Sequence, residues 1–343
     1  MPTRESMLHH TIAGDFARHP QQLNKIMEAD AELLRLPGRE NEWLVLKTDG
    51  IHEEIQTKLY DDPWLIGWMT VTAPVSDIAA VGAQPTGLLL SLVLNRHEEA
   101  GWLQQFKLGV QKACSQYNMY VLGGDTNYDS ICTVSATVMA HISGKSPLLR
   151  SGIQPGDWLY TSGPLGLGNA YAYSRFFDGS VTVDYRPYAR LDICNYLSQY
   201  ATACMDTSDG LFPALAVLAE LNNIGFQLTA PLIQVLHKAA LDVCRHADIP
   251  DWMLLAGPHG EYELLFTVAA GLRQKFEENC VSAGWQPLLL GVATADAALT
   301  FISGSKVISC LPDVIPDLFY EADGSITTYY NLLQKQHARW NQL

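Results

Sequence analysis

The sequence predicts an α+β protein with mixed α/β halves, arranged as two domains. Three observations carry this. Strand-like and helix-like segments run the whole length of the chain without strict alternation. A Pro-, Gly- and Ser-rich stretch, KSPLLRSGIQPGD (residues 145–157), interrupts them near the middle. The chain has 343 residues, 48% hydrophobic and 17% charged, enough for two cores with a sparsely charged surface. The expected domains are residues 1–146 and 147–343.

The elements follow in chain order. EWLVLKTDG reads as a strand ending at Asp49, and PWLIGWMTVTAPVSDIAAVGA has helical length and periodicity. TGLLLSLVL is a strand. EEAGWLQQFKLGVQKACSQYN is a helix whose acidic start, Glu98 and Glu99, suits the helix dipole. MYVLGGDT reads as a short strand that runs into a glycine turn, and SICTVSATVMAHISG as another strand. Past the boundary come strand DWLYTSG and helices NAYAYSRFF, ARLDICNYLSQYA and GLFPALAVLAELNN. Strand GFQLTA, helix LIQVLHKAALDVCR, strand EYELLFTV, helix GLRQKFEENCVSAG and strand QPLLLGVA complete the series.

Several function classes are excluded. The net charge of −14 argues against sequence-independent nucleic-acid binding. The longest apolar run, PTGLLLSLVL, is strand-sized, and the first sixteen residues lack a secretory apolar region. Seven cysteines without a CxxC pair read as free thiols in a reducing compartment, so the expected location is the cytoplasm. There is no Walker A motif, GxGxxG, nucleophile elbow or Ser-His-Asp order, and the histidines are scattered.

Chemistry gathers where aspartates stand at the edges of apolar elements: Asp30, Asp49, Asp77, Asp125, and the pair Asp206 and Asp209 in MDTSDGLF. Each alone reads as a turn or N-cap residue. Asp77 is the exception, set in a helical apolar pattern where Asp is a poor former. No Lys or Arg lies within ten residues of MDTSDGLF, and buried carboxylates need a positive partner. Hard oxygen ligands from several elements suit Mg²⁺ arriving with a nucleotide. An EF-hand is excluded, because Val217 stands where its glutamate belongs. GPLGLGN (residues 163–169) reads as a close-packing turn. In GGDT the two glycines would let the backbone approach a ligand. Arg150, beside a glycine turn, is a phosphate partner or a solvated loop arginine.

The motifs TDG, SDIAAVGAQP, GGDT, RSGIQPGD, MDTSDGL and EYELLF, in that order, resemble the thiamine-monophosphate kinases. These belong to the aminoimidazole ribonucleotide synthetase (AIR synthase, PurM-like) superfamily, with selenophosphate synthetase and a hydrogenase maturation factor. The resemblance implies an N-terminal α/β domain that dimerises through its sheet and a C-terminal α+β domain. It implies ATP and several Mg²⁺ ions in the cleft between them. Matched by motif, Asp30, Thr48, Asp49, Asp77, Asp125, Asp206 and Asp209 are expected metal ligands, with Asp49, Asp77 and Asp209 central to catalysis. Gly124, Asp125, Arg150 and Ser208, and more weakly Tyr117, are expected nucleotide contacts.

The chain departs from the pattern at Ala29, which replaces an aspartate, and at Lys47, where the family has Ser or Thr. On the acceptor side Gln56 replaces a histidine and Gly260 a glutamate, and the C-terminus has no aromatic counterpart. The expectation is an ATP- and Mg²⁺-dependent phosphotransferase with a small-molecule acceptor left open, thiamine monophosphate included. Two alternatives stand beside it: activation of an amide or similar acceptor by transient phosphorylation, and non-catalytic nucleotide binding.

Overall fold

The computed structural model describes residues 4–39, 41–95 and 100–342. After helix α1 (Arg4–Ala13), the first half contains β1 (Glu32–Arg35), β2 (Glu42–Gly50), α2 (His52–Gln56), α3 (Pro63–Ala80) and β3 (Gln84–Asn95). Helix α4 (Ala100–Gln116), β4 (Tyr120–Asp129) and β5 (Thr133–Ser143) complete it. Its five strands form one sheet in the order β1-β2-β5-β3-β4, with β3 and β4 parallel and the other neighbours antiparallel.

Helix α3 is apolar on every side, which is the pattern of a helix with no solvent face. Every residue from Leu65 to Ala80 is buried. It packs on β2 and β5 and against α4. Met69, Val71 and Ile78 of α3, Val45 of β2 and Phe106 of α4 share one core. Tyr185, Ala189 and Tyr262 from the second half pack into that same core, so the two halves meet over apolar surface.

Residues 144–157 carry no regular element. The second half then runs β6 (Trp158–Thr161), α5 (Leu167–Phe176), α6 (Cys194–Tyr200), β7 (Ala201–Asp206), α7 (Leu211–Asn222), β8 (Gly225–Leu228) and α8 (Lys238–Ala247). It continues with β9 (Leu264–Val268), α9 (Arg273–Ser282), β10 (Leu288–Thr294), β11 (Leu299–Ser303), β12 (Lys306–Cys310), α10 (Val314–Glu321) and α11 (Ile326–Gln342). Its sheet has the order β12-β11-β8-β10-β6-β9-β7. Helix α7, Trp252, Phe226 and Phe301 build the core beneath it. Strand β7 lies at the sheet edge and touches α3.

Three segments differ from the sequence expectation. The helix expected to reach Ala201 stops at Tyr200, and Ala201–Asp206 is the strand that delivers Asp206. Strand β4 does not turn at its glycines but runs through them to Asp129. A Cβ on Gly124 would stand 1.9 Å from the Leu90 carbonyl oxygen, so glycine there admits the neighbouring strand β3. Strand β9 begins only at Leu264, leaving Glu261–Glu263 in a loop. Glu98 and Glu99, the acidic start expected for α4, lie outside the described residues. Among the described residues no helix is long and apolar enough to cross a membrane, and the seven cysteines are free thiols.

Candidate active site

Strand alternation sets the first side of the site. Trp43 and Val45 of β2 point into the core, and Lys47, next on that face, reaches α3, where its Nζ lies 3.0 Å from Asp77 Oδ1. Asp49 follows on the same face. Thr48, on the other, bonds Thr137 Oγ1 with its hydroxyl at 2.8 Å. Asp77 sits in the last turn of α3, buried and at the negative end of the helix dipole. A carboxylate in that position needs cations around it.

The second half supplies the other side. Asp206 ends β7, and Ser208 and Asp209 occupy the turn to Gly210, which caps α7. Ser208 Oγ donates to Asp206 Oδ1 at 2.8 Å. Asp30, just before β1, is the third buried carboxylate. One ligand atom from each of Asp30, Asp77 and Asp206 lies within 4.8 Å of the other two. Arg150, from the irregular segment, holds Asp30 through Nη2 to Oδ1 at 2.9 Å and Nε to Oδ2 at 3.2 Å. It also donates from Nη1 to the Met27 carbonyl at 3.3 Å.

These groups are electrostatically strained. Burial, reinforced by Asp30, pushes the Asp206 carboxyl up to about 6. Burial also raises Asp77 well above the usual carboxylate range; Lys47 opposes this, while Asp206, Asp49 and Asp30 add to it. Burial alone would lower the Lys47 pKa, but Asp77 and Asp49 hold it above its ordinary value. Asp206 Oδ2 and the nearby Ser76 Oγ are buried and make no hydrogen bond of acceptable geometry. Oxygen donors from three elements, a surplus of negative charge and an orphaned Asp206 oxygen fit a hard divalent cation.

Above this cluster opens a cleft of about 840 Å³, the size of a small-molecule site. Asp30, Thr48, Asp49, Asp77, Arg150, Ser208 and Asp209 line it, and Asp206 lies beneath. Three expected residues are elsewhere. Tyr117 is a core residue whose hydroxyl meets Thr72 Oγ1 at 3.0 Å and accepts from the Ala189 N–H at 2.9 Å. Gly124 and Asp125 are on exposed β4, three strands across the sheet from Asp49 and Gly50. That spacing is roughly 14 Å.

Residues not singled out from the sequence complete the walls. Tyr262 lines the cleft with the left-handed φ of +62°, and stands beside Tyr60 and Tyr185, whose rings stack at 6.0 Å. Glu54 lines the same side, its carboxyl raised to about 7, mainly by burial. Its place in IHEEIQ, just after the TDG strand, was the available signal. Gly260 packs so closely on the Asp206–Asp209 turn that a Cβ would stand 1.5 Å from the Thr207 carbonyl oxygen. The glycines of GPLGLGN make a close-packing turn, with the Gly166 N–H donating to Glu261 Oε2 at 2.6 Å.

Comparison with known proteins agrees with this architecture. Residues 28–142 match the AIR synthase related protein, N-terminal domain, family. The thiamine-monophosphate kinase of Methanospirillum hungatei is 32% identical over 242 residues, covering 70% of this chain and 79% of that protein. The Escherichia coli K12 thiamine-monophosphate kinase is 28% identical over 294 residues, covering 82% and 87%. The solved structure of AaThiL complexed with AMPPCP and TMP shares the fold at a TM-score of 0.68 and 22% identity, covering 80% of this chain and 88% of that one. The fold and the acidic cleft define an ATP-dependent phosphotransferase of the AIR synthase-related class. The chain belongs to the thiamine-monophosphate kinase family.

Proposed function

We propose that the cleft, between domains comprising residues 1–146 and 147–343, passes the γ-phosphate of ATP to a small phosphorylated acceptor with Mg²⁺ as cofactor. The observation that carries this reading is the convergence of the buried Asp30, Asp77 and Asp206, one oxygen of each within 4.8 Å of the other two. Asp77, Asp206, Asp209 and Asp49 would hold Mg²⁺. When bound, the ion neutralises charge on the β- and γ-phosphate oxygens. Arg150 and Ser208 border the place where those phosphates lie. The acceptor oxygen bonds to the γ-phosphorus as the bond to the ADP oxygen breaks, and no covalent intermediate with the protein is needed. Positioning and charge neutralisation supply the rate.

The acceptor side is the wall of Tyr262, Glu54 and His52. Thiamine monophosphate, for which the relatives are named, is the first acceptor to assay, followed by other phosphorylated metabolites. ADP release together with a new phosphorylated product in the phosphorus NMR spectrum supports the reading. Absence of ATP turnover with every acceptor refutes it.

We propose a homodimer through β4, which is exposed along its whole length and carries Tyr120, Leu122 and Tyr128. A second copy laid on this edge would cover it, and would be the place where Gly124 and Asp125 meet a nucleotide. The free cysteines support a cytoplasmic location.

A further inference from the structure

We infer that Lys47 is a permanent cation of the carboxylate cluster, occupying the position of one divalent ion so that this chain uses fewer metals than its carboxylates would otherwise call for. The inference rests on the phosphotransfer reading above.

Its basis is geometric. Lysine is seldom buried without a partner, yet the Lys47 side chain is only 26% exposed and points from β2 into the cluster. Its Nζ is 3.0 Å from Asp77 Oδ1, with Asp49 and Asp30 also facing it. An ammonium is a compact charge with three donors and no acceptor. It draws the same carboxylate oxygens that a small hard cation draws. Mg²⁺ binds oxygen at about 2.0–2.1 Å. An ion on Asp77 Oδ1 would therefore share that oxygen with the ammonium, and repulsion between like charges disfavours that arrangement. On the opposite side of the cluster the buried Asp206 carboxyl meets the hydroxyls of Ser208, at 2.8 Å, and of the nearby Ser76, and neither carries charge. Metal therefore enters from the Asp206 and Asp209 side, while Asp77 Oδ1 is already neutralised by the ammonium.

The test counts bound metal. Full-length wild type, Lys47→Thr and Lys47→Met are titrated with Mn²⁺ in the presence of a non-hydrolysable ATP analogue, and free Mn²⁺ is read by electron paramagnetic resonance. Lys47→Thr is expected to bind one Mn²⁺ more per chain than wild type. Lys47→Met keeps the stem and loses the charge, and without nucleotide its melting temperature should rise more with Mn²⁺ than that of wild type. Equal Mn²⁺ counts in wild type and Lys47→Thr overturn the inference and leave the phosphotransfer reading standing. So does an equal Mn²⁺-dependent melting shift in wild type and Lys47→Met. Failure of wild type to bind the analogue with Mn²⁺ overturns both.

Discussion

Arg150 grips both carboxylate oxygens of Asp30, at 2.9 and 3.2 Å, across the junction between the two halves of the chain. Asp30 stands at the start of the first sheet and Arg150 in the irregular segment leading to the second. The pair therefore couples the carboxylate cluster to the link between the sheets. Arg150→Met should leave Asp30 buried without its counter-charge and destabilise the protein by about 3–5 kcal/mol. The double variant Arg150→Met with Asp30→Asn should recover a large part of that loss. Urea denaturation of the three chains measures both effects.

Asp77→Asn removes the carboxylate that closes the cluster from α3. Turnover should fall about 100-fold or more, because charge stabilisation at the transferring phosphate depends on this site. The packed apolar faces of α3 are untouched, so circular dichroism should remain that of wild type. ADP release under saturating ATP checks the first expectation. Removal of divalent cations by EDTA should abolish ADP release in wild type, and added Mg²⁺ should restore it.

Glu261 is buried and accepts from the Gly166 N–H at 2.6 Å and from Thr207 Oγ1 at 2.7 Å. Burial raises its carboxyl from 4.5 to about 8. With the folded value above the unfolded one, its contribution is complete below pH 4.5 and is lost as pH rises through 8. Glu261→Gln retains the amide oxygen for Gly166 and carries no charge. The melting temperature of Glu261→Gln relative to wild type should therefore climb between pH 4.5 and about 8 and level off above that. The gain corresponds to a few kcal/mol at about 1.4 kcal/mol per pH unit. A pH-independent difference would remove Glu261 as the cause.

Leu122 is 55% exposed on β4. Wild type should sediment at twice the chain mass, and Leu122→Lys, which places a charge on that edge, at the chain mass. A mixture of Asp77→Asn and Asp125→Asn subunits should regain activity if Asp125 acts on the neighbouring copy's cleft. Analytical ultracentrifugation and ADP release after subunit mixing check these outcomes.

The chemistry was more legible in the sequence than its spatial arrangement. A carboxylate at the edge of an apolar run is visible because burial makes it costly, and Asp30, Asp49, Asp77, Asp206 and Asp209 do meet at one cleft. Helix α3 was equally plain, since eighteen mostly apolar residues, interrupted by small polar side chains and Asp77, admit few alternatives. Strand β7 was hidden because ATACMD is mostly small and unbranched and follows directly on a helix. Strand β4 read as broken at Gly123 and Gly124 because glycine most often marks a turn, whereas here close approach to Leu90 requires it at Gly124. Tyr117 carried no local sign that its hydroxyl was already committed to Thr72 and Ala189. The short strands β1, β11 and β12 were not visible because each is brief and weakly patterned, and helices α10 and α11 were not singled out; β11 and β12 form a tight hairpin closed by Ser303 and Lys306, β1 pairs with the next strand, and α10 packs on α11.

The contact between Gly260 and the Thr207 carbonyl reaches beyond local packing. Any attempt to redesign acceptor preference by grafting a side chain at Gly260 would first displace the turn that carries Asp206, Ser208 and Asp209. The proposed acceptor wall and the proposed phosphate turn thus share one unit of backbone. Altering the preference would mean rebuilding residues 257–262 together with 206–210.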